Sequence, residues 1–310
     1  MTFLTVTDAL NYHQKKYQIS KQLESIVTKK GYRLIEPDYL ESYDRFIGMH
    51  RRVNVQSMVK LIDAEGAVRV LRPDITTSVI NELIPKWNNG LTLKLFYNAS
   101  VFINTTENIQ EKKQFGVEYL GDDSQTSDHE TIGLVLEIFN AFTLDFFLEI
   151  SHAGFLNALI ERLDLSEKNA VTFKTLLYTK NRDGLNRFIE SYLPNHPDRK
   201  IIERLFDLQG ETAAIRQKLD GLHVPEALRR ALDELSALEA SFHCVNCTFD
   251  LSLVGQFDYY DGIFFKGYLM NSPQAILHGG RYNTRKMGYQ KQVPAIGFSF
   301  ALNDLLKAVT

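Results

Sequence analysis

Apolar residues recur at helical spacing near the start of the chain. Ala9, Leu23, Ile26 and Val27 share one side of a segment that the pattern predicts as an amphipathic helix over 7–30, with Thr7 or Asp8 to cap it and Gly31 to stop it. A short strand then runs into Pro37. MVKLID and AVRVLRPD alternate as strands do and meet around Ala64, Glu65 and Gly66, which reads as a hairpin. LTLKLFYNASVFI (Leu91 to Ile103) and QFGVEYLG (Gln114 to Gly121) repeat that pattern on a larger scale, across a polar loop from Asn104 to Lys112. Hairpins pair antiparallel, so a central antiparallel sheet is expected. Helices at about 127–143 and 153–163 flank the strand-like FFLEI.

From 166 to 243 the chain changes character. Leu, Ala, Glu, Arg and Lys dominate, and spacings such as Ile201, Leu205, Leu208 and Ile215, Leu219 are helical. Strand patterns resume at Cys247 to Val254, Gly262 to Met270, Ala275 to Leu277 and Pro294 to Phe300, before a last helix from Leu302 to Val309. The expected organisation is a sheet domain of 1–165 plus 245–310, with a helical insertion at 166–244. Helices gathered in separate runs argue for an α+β fold over a doubly wound parallel sheet.

Composition narrows the function classes. The 310 residues are 44% hydrophobic and 24% charged, enough for one large core and a smaller appended unit. A formal net charge of -3 lacks the basic footprint of a protein that grips a phosphate backbone, so tRNA is not an expected partner. No apolar run approaches the roughly 20 residues that span a bilayer, and no basic segment precedes a long apolar one at the start, so a cytosolic protein without a membrane partner is expected. Cys244 and Cys247 form a CxxC beside His243, but no second ligand pair exists to complete a zinc set. HCVNCTFDLSLV alternates with Val245, Cys247, Phe249 and Leu251 on one face. The pair therefore reads as two reduced thiols in or near a core strand, with metal or redox chemistry as the sharper alternative.

Four segments carry candidate chemistry. In QFGVEYLG the period of two puts Gln114, Gly116 and Glu118 on one face, where a glycine marks either a close-lying ligand or a plain solvent-facing sheet edge. LRPDITT ends a strand at Pro73 and presents Asp74 and Thr76 where a helix begins, so Asp74 also reads as a helix cap. FDYYDG holds Tyr259 and Tyr260, which within a strand point to opposite faces, and then Asp261 and Gly262 as a turn. HGGRYN pairs two glycines, for a close backbone approach or a tight turn.

In this order the four resemble the catalytic domain of class II aminoacyl-tRNA synthetases, and specifically histidyl-tRNA synthetase. LRPDIT resembles that family's LRPEGT, QFGVEYLG its QLGxExxG, LVGQFDYYDG its LVRGLDYYTG and HGGRYN its GGGRYD; AIGFSFALNDLL resembles motif 3, usually close to GxGLERL. The resemblance covers most of the chain outside the helical insertion. It implies a histidine pocket of Asp74 (Glu in the usual motif), Thr76, Gln114, Glu118, Tyr259 and Tyr260. A histidine ligand brings an ammonium suited to carboxylates and an imidazole suited to directed hydrogen bonds from Glu and Tyr.

The catalytic apparatus departs from the family. Its motif 2 arginine falls on Ile103 and the acidic neighbour on Thr105; the arginine of LVRGLDYY falls on Gly255; the motif 3 arginine falls on Asp304, its Glu partner on Asn303 and the preceding glycine on Ala301. Nucleotidyl transfer relies on cations placed where charge develops, each typically worth about 2.7 to 4 kcal/mol. Loss of three should abolish adenylation, and Asp304 should repel a triphosphate. No cofactor or metal is implied, and the anticodon-binding domain that usually follows motif 3 in the family is expected to be absent.

That combination resembles a paralogous family, the regulatory subunits of ATP phosphoribosyltransferase. The resemblance implies no catalysis by this chain, a short-form ATP phosphoribosyltransferase catalytic subunit as partner, activation of that subunit, and participation in feedback inhibition by histidine. By analogy with class II synthetases it also implies a homodimer, through the first helix and the strand leading to Pro37, within a hetero-oligomer such as a hetero-octamer. The loop Asn104 to Lys112 and the turn around Asp261 would be its moving parts. The alternatives are an active histidyl-adenylate-forming fragment, a degenerate sensor of tRNA or histidine, and redox control through the CxxC.

Overall fold

The computed structural model describes residues 5–49, 55–242, 244–255, 259–285 and 287–309. In chain order its elements begin α1 (Val6–Lys29), β1 (Arg33–Leu34), β2 (Leu40–Ser42), α2 (Tyr43–Met49), β3 (Lys60–Ile62), β4 (Val68–Leu71), α3 (Ile75–Leu83), β5 (Leu93–Asn104), β6 (Ile109–Leu120) and α4 (Gln125–Ala141). They continue with β7 (Phe146–His152), α5 (Ala153–Arg162), α6 (Glu167–Tyr178), α7 (Arg182–Tyr192), α8 (Arg199–Glu203), β8 (Gln209–Gly210), α9 (Thr212–Leu219) and α10 (Glu226–Ser241). Last come β9 (Cys247–Asp250), β10 (Tyr260–Leu269), β11 (Ala275–Asn283), β12 (Pro294–Ala301) and α11 (Leu302–Ala308). The fold is α+β. It divides into two compact units: Met1–Asp145 with Leu269–Gly279 and Asn283–Thr310, and Phe146–Tyr268 with Gly280–Tyr282.

In the first unit the strands run β1-β5-β6-β12. The β5–β6 hairpin pairs antiparallel from Leu93↔Leu120 to Asn104↔Ile109, and β12 pairs antiparallel with β6, but β1 pairs parallel with β5. The central ladder is antiparallel as expected, and the parallel β1–β5 pair at its side makes the sheet mixed. A separate three-stranded sheet, β2-β4-β3, contains the expected MVKLID–AVRVLRPD hairpin. The polar loop expected over Asn104 to Lys112 is another correction: Ile109 onward belongs to β6, leaving a turn in which Thr105 N donates to Asn108 O at 2.9 Å. Gln110, Glu111 and Lys112 are exposed on a paired strand, so their polarity reads as loop although their backbone is in a ladder.

The hairpin has two unlike faces. Phe96, Phe115 and Val117 share one with Ile296, Phe298 and Phe300 of β12, and α4 covers it, Phe139 meeting Phe300 edge-on at 5.4 Å. Helix α1 starts one residue before the expected span. Its N-cap is Thr5, whose Oγ1 accepts from Asp8 N at 3.1 Å while Thr5 N donates to the Asp8 carboxylate at 3.0 Å, a reciprocal capping box in place of the expected cap at Thr7 or Asp8.

In the second unit the strands run β10-β7-β9-β8, with β7 and β9 parallel. Helices α6 to α10 enclose Phe173, Leu177, Phe188, Leu232 and Leu235, all buried. Among this unit's ion pairs, two hold buried carboxylates: Asp198 accepts from Arg162 at 2.7 Å, and Asp250 from Lys180 at 2.6 Å. Cys244 and Cys247 form a disulfide, which corrects the reading of reduced thiols. Cys247 opens β9, whereas Val245 is fully exposed in the turn before it, so the alternating face begins later than the pattern suggested. Among the described residues no helix is long and apolar enough to cross a membrane, and no cluster of three or more His, Cys, Asp or Glu could hold a metal ion.

Candidate functional site

On the second face of the β5–β6–β12 ladder, small residues surround Gln114 and Glu118 on β12 and at Ala99 and Gly116, with Leu95 and Tyr97 of β5 beside them. Ala99 pairs with Gln114 and Tyr97 with Gly116 across β5–β6, while Gly297, Ser299 and Ala301 of β12 pair with Glu118, Gly116 and Gln114. Directly paired residues in a ladder project to the same side. The result is a low floor of Ala99, Gly116, Gly297, Ser299 and Ala301, from which Gln114 and Glu118 rise. β6 lies between β5 and β12, so the alternative of a solvent-facing sheet edge does not apply. Glu118 is only 1% exposed and Gln114 is half-buried.

Glu118 is held in place from two sides. Thr76, in the first turn of α3, donates its hydroxyl to Glu118 Oε1 at 2.6 Å, and the other carboxylate oxygen lies where a side chain on Gly297 would start. Burying a carboxylate costs several kcal/mol unless it is hydrogen-bonded, so this contact is part of what keeps the group there. Asp74 sits just before α3 and caps it. Its Oδ2 accepts from Thr77 N at 2.8 Å and from Thr77 Oγ1 at 2.6 Å, the helix-cap reading weighed from the sequence.

Sequence reasoning missed Tyr97. Its hydroxyl and the Phe298 carbonyl fill the space that a Cβ on Gly116 would need, so this glycine makes room for the protein's own cross-strand ring. Tyr97, 2% exposed, thus forms part of the floor between Gln114 and Glu118. The small residues of the floor were legible in AIGFSFA, where Ala295, Gly297, Ser299 and Ala301 alternate with Ile296, Phe298 and Phe300, but Tyr97 was not. The neighbouring Arg72 is structural: its buried guanidinium donates to the carbonyls of Ser100 at 2.6 Å, Pro37 at 2.5 Å and Asp38 at 3.1 Å.

Among the positions matched to catalytic arginines, Ile103 is half-buried near the end of β5, opposite Gln110. Asp304 lies in the first turn of α11 and pairs with Lys307 at 2.7 Å. Its charge is therefore locally compensated, which weakens the expected repulsion of a triphosphate.

Tyr259, Tyr260 and Gly255 belong to the second unit. Tyr259 precedes β10, so the two tyrosines do not alternate across a strand. Their rings meet edge-on at 5.0 Å, Tyr259 also packs on Tyr282 at 5.4 Å, and Tyr260 stacks on Phe264 at 5.7 Å. Asp261 and Gly262 lie within β10 and not in a turn, and HGGRYN belongs to β11, where Gly280 admits the close approach of Tyr260 and Phe264. Phe257, from the same motif, lies outside the described residues. A cavity of about 30 Å³, room for roughly one water, is lined by Gly255, Tyr260, Asn157, Phe264 and Lys174. Gly255 brings no charge to it.

The sequence profile of the family described as Histidyl-tRNA synthetase matches residues 7–305. The ATP phosphoribosyltransferase regulatory subunit of Geobacillus kaustophilus (strain HTA426) is 31% identical over 306 residues, 94% of this chain and 77% of that protein. A solved ATP phosphoribosyltransferase regulatory subunit/histidyl-tRNA synthetase from Bacillus halodurans C superposes with a TM-score of 0.86 at 28% identity, over 100% of this chain and 82% of that one. A chain in an ATP phosphoribosyl transferase complex from Thermotoga maritima shares the fold, with a TM-score of 0.71 at 19% identity over 92% of this chain and 96% of that one. The fold and the family match define a domain of the class II aminoacyl-tRNA synthetase kind. The chain belongs to the histidyl-tRNA synthetase family, and within it to the ATP phosphoribosyltransferase regulatory subunits.

Proposed function

We propose that this chain is a non-catalytic regulatory subunit of ATP phosphoribosyltransferase in histidine biosynthesis, which activates a short-form catalytic subunit and takes part in feedback inhibition by histidine. The observation that carries the reading is a contrast. Thr76 and Glu118 stand hydrogen-bonded over a small-residue floor, while Ile103, Gly255 and Asp304 occupy the positions matched to cations that manage a nucleotide's phosphates. Thr76, Gln114 and Glu118, with Asp74, are the first unit's contribution to histidine binding; Tyr259 and Tyr260 keep the role the family resemblance gives them. Histidine binding with unequal affinity to two arrangements of the assembly would shift their populations, typically by about 1 to 3 kcal/mol of coupling.

The same reading takes 1–165 plus 245–310 as the synthetase-like body and 166–244 as its insertion, and places the protein in the cytoplasm. It includes a homodimer inside a hetero-oligomer such as a hetero-octamer. Exposed apolar residues on the first unit support self-association: Leu10 at 64%, Leu34 on the terminal strand β1 at 56% and Ile62 at 77% exposure. The deciding experiment mixes this chain with a short-form catalytic subunit and follows turnover with and without histidine. Activation that histidine reverses is expected; no activation removes the assignment.

A further inference from the structure

The first unit carries a groove on the face of the hairpin opposite Gln114 and Glu118. One side of α1 presents His13, Lys16, Tyr17, Ser20, Lys21 and Glu24 at spacings of three and four, and the opposite wall is Asn98 of β5 and Lys113 of β6. The groove measures about 360 Å³. Both wall residues belong to the aromatic face of the hairpin, since Asn98 pairs with Phe115 and Lys113 with Ser100. The charged groups lining it are the ammonium groups of Lys16, Lys21 and Lys113 and the Glu24 carboxylate, with His13 beside them; Glu111, two residues along β6 and bonded to Ser100, also acts on Lys113.

We propose that this groove is an anion site for a small, multiply charged oxyanion of the phosphate or pyrophosphate class. Three ammonium groups line the groove against the Glu24 carboxylate, and Glu111 offsets the charge on Lys113 only in part, so the groove is net positive. Lysine ammonium groups serve phosphate as compact point charges with rotatable donors. Lys113 Nζ already donates to the Asn98 carbonyl at 2.9 Å, which holds the ammonium at the wall. Burial, and then the neighbouring Lys16, push the Lys113 pKa down, with Glu111 opposing them; a bound dianion would offset the repulsion from Lys16. Lys21 lies over the Tyr17 ring at 5.0 Å, which fixes a second cation at the rim. Asn98 adds a polar side chain to the wall, and its Oδ1 is buried without a hydrogen-bond partner in the present orientation. Turning that amide over presents its NH2, the donor an oxyanion requires. The groove suits a small ion better than a nucleic acid, because the chain as a whole is acidic, at a formal charge of -3.

The test titrates inorganic pyrophosphate and phosphate into the full chain by calorimetry at fixed ionic strength, with citrate as a carboxylate comparison. Saturable binding of pyrophosphate is expected, weakened by about tenfold or more in Lys16→Ala and in Lys113→Met and unchanged in Lys29→Ala, outside the groove. Lys16 is on the helix surface, so its variant carries the test if Lys113→Met lowers the melting temperature. No saturable uptake in the millimolar range, or equal uptake by wild type and the Lys16 variant, overturns the site; citrate bound as tightly as pyrophosphate overturns the phosphate assignment. Histidine binding and activation of the catalytic subunit are read separately, so failure here leaves the regulatory reading intact.

Discussion

Thr76 donates its hydroxyl to the buried Glu118 carboxylate at 2.6 Å, tying the first turn of α3 to the C-terminal end of β6. The family resemblance assigns both to histidine, and the structure shows they already act as a pair. Hydrogen bonds to a charged group are worth about 1.5 to 3 kcal/mol. Glu118→Gln should therefore raise the Kd for histidine by roughly 10- to 100-fold. Thr76→Val, which leaves the carboxylate in place but removes its anchor, should cost less, about 2- to 10-fold. Calorimetric titration of both variants checks this; unchanged affinity in each would remove the face from histidine binding.

Asp74 separates capping from charge. As the N-cap of α3 it should contribute about 0.5 to 2 kcal/mol, lost in Asp74→Ala and largely kept in Asp74→Asn, which still accepts from Thr77 N. Urea unfolding measures that part. If the carboxylate also faces the ligand's ammonium, histidine affinity falls in the Asn variant while its stability stays near wild type. An Asn variant that matches wild type in both assigns Asp74 to the cap alone.

Gly116→Ala tests the close fit of the floor. The added methyl would overlap the Tyr97 hydroxyl and the Phe298 carbonyl, and only the first of these can swing away. Overpacking of this kind costs typically about 1 to 3 kcal/mol. Thermal unfolding should show a clear loss, partly restored when Tyr97→Leu is added. Gly133 has open space at its Cβ position, so Gly133→Ala is the control. A Gly116→Ala protein as stable as wild type would mean the ladder yields easily.

The sequence carried much of this site because alternation fixes which residues share a face. Gln114, Gly116 and Glu118 could be placed together from QFGVEYLG alone, and the helix at Asp74 and Thr76 from LRPDITT. What stayed hidden depends on partners distant in the chain. Nothing local to Gly116 says that Tyr97 covers it, because that follows from the β5–β6 register. The arm from Gln110 to Lys112 looks like a loop, since an exposed strand and a loop have the same polarity. Cys244 and Cys247 suit a thiol pair or a disulfide equally well by spacing, and the turn that closes them decides. Tyr259 could not be set apart from the strand beginning at Tyr260 without knowing where the pairing starts.

The His152–Glu234 pair gives the second unit a pH-dependent part of its stability. His152 Nε2 lies 2.9 Å from Glu234 Oε2, joining the end of β7 to α10, and this bond holds the Glu234 carboxyl below its ordinary value of 4.5 against the opposing effect of burial. A carboxyl with a depressed folded-state pKa stabilises the fold above its unfolded pKa, and that contribution is lost as pH falls through the lowered value. The Glu234 side chain is 40% exposed, so screening keeps the contribution to a few tenths up to about 1 kcal/mol. The melting temperature of wild type should exceed that of Glu234→Gln at about pH 7, and the gap should close in acid below the ordinary carboxylate range. Added salt should narrow the gap only in part, because His152 itself is buried. A difference that persists undiminished at low pH would mean that the glutamine is penalised by packing, and that the pair contributes nothing through charge.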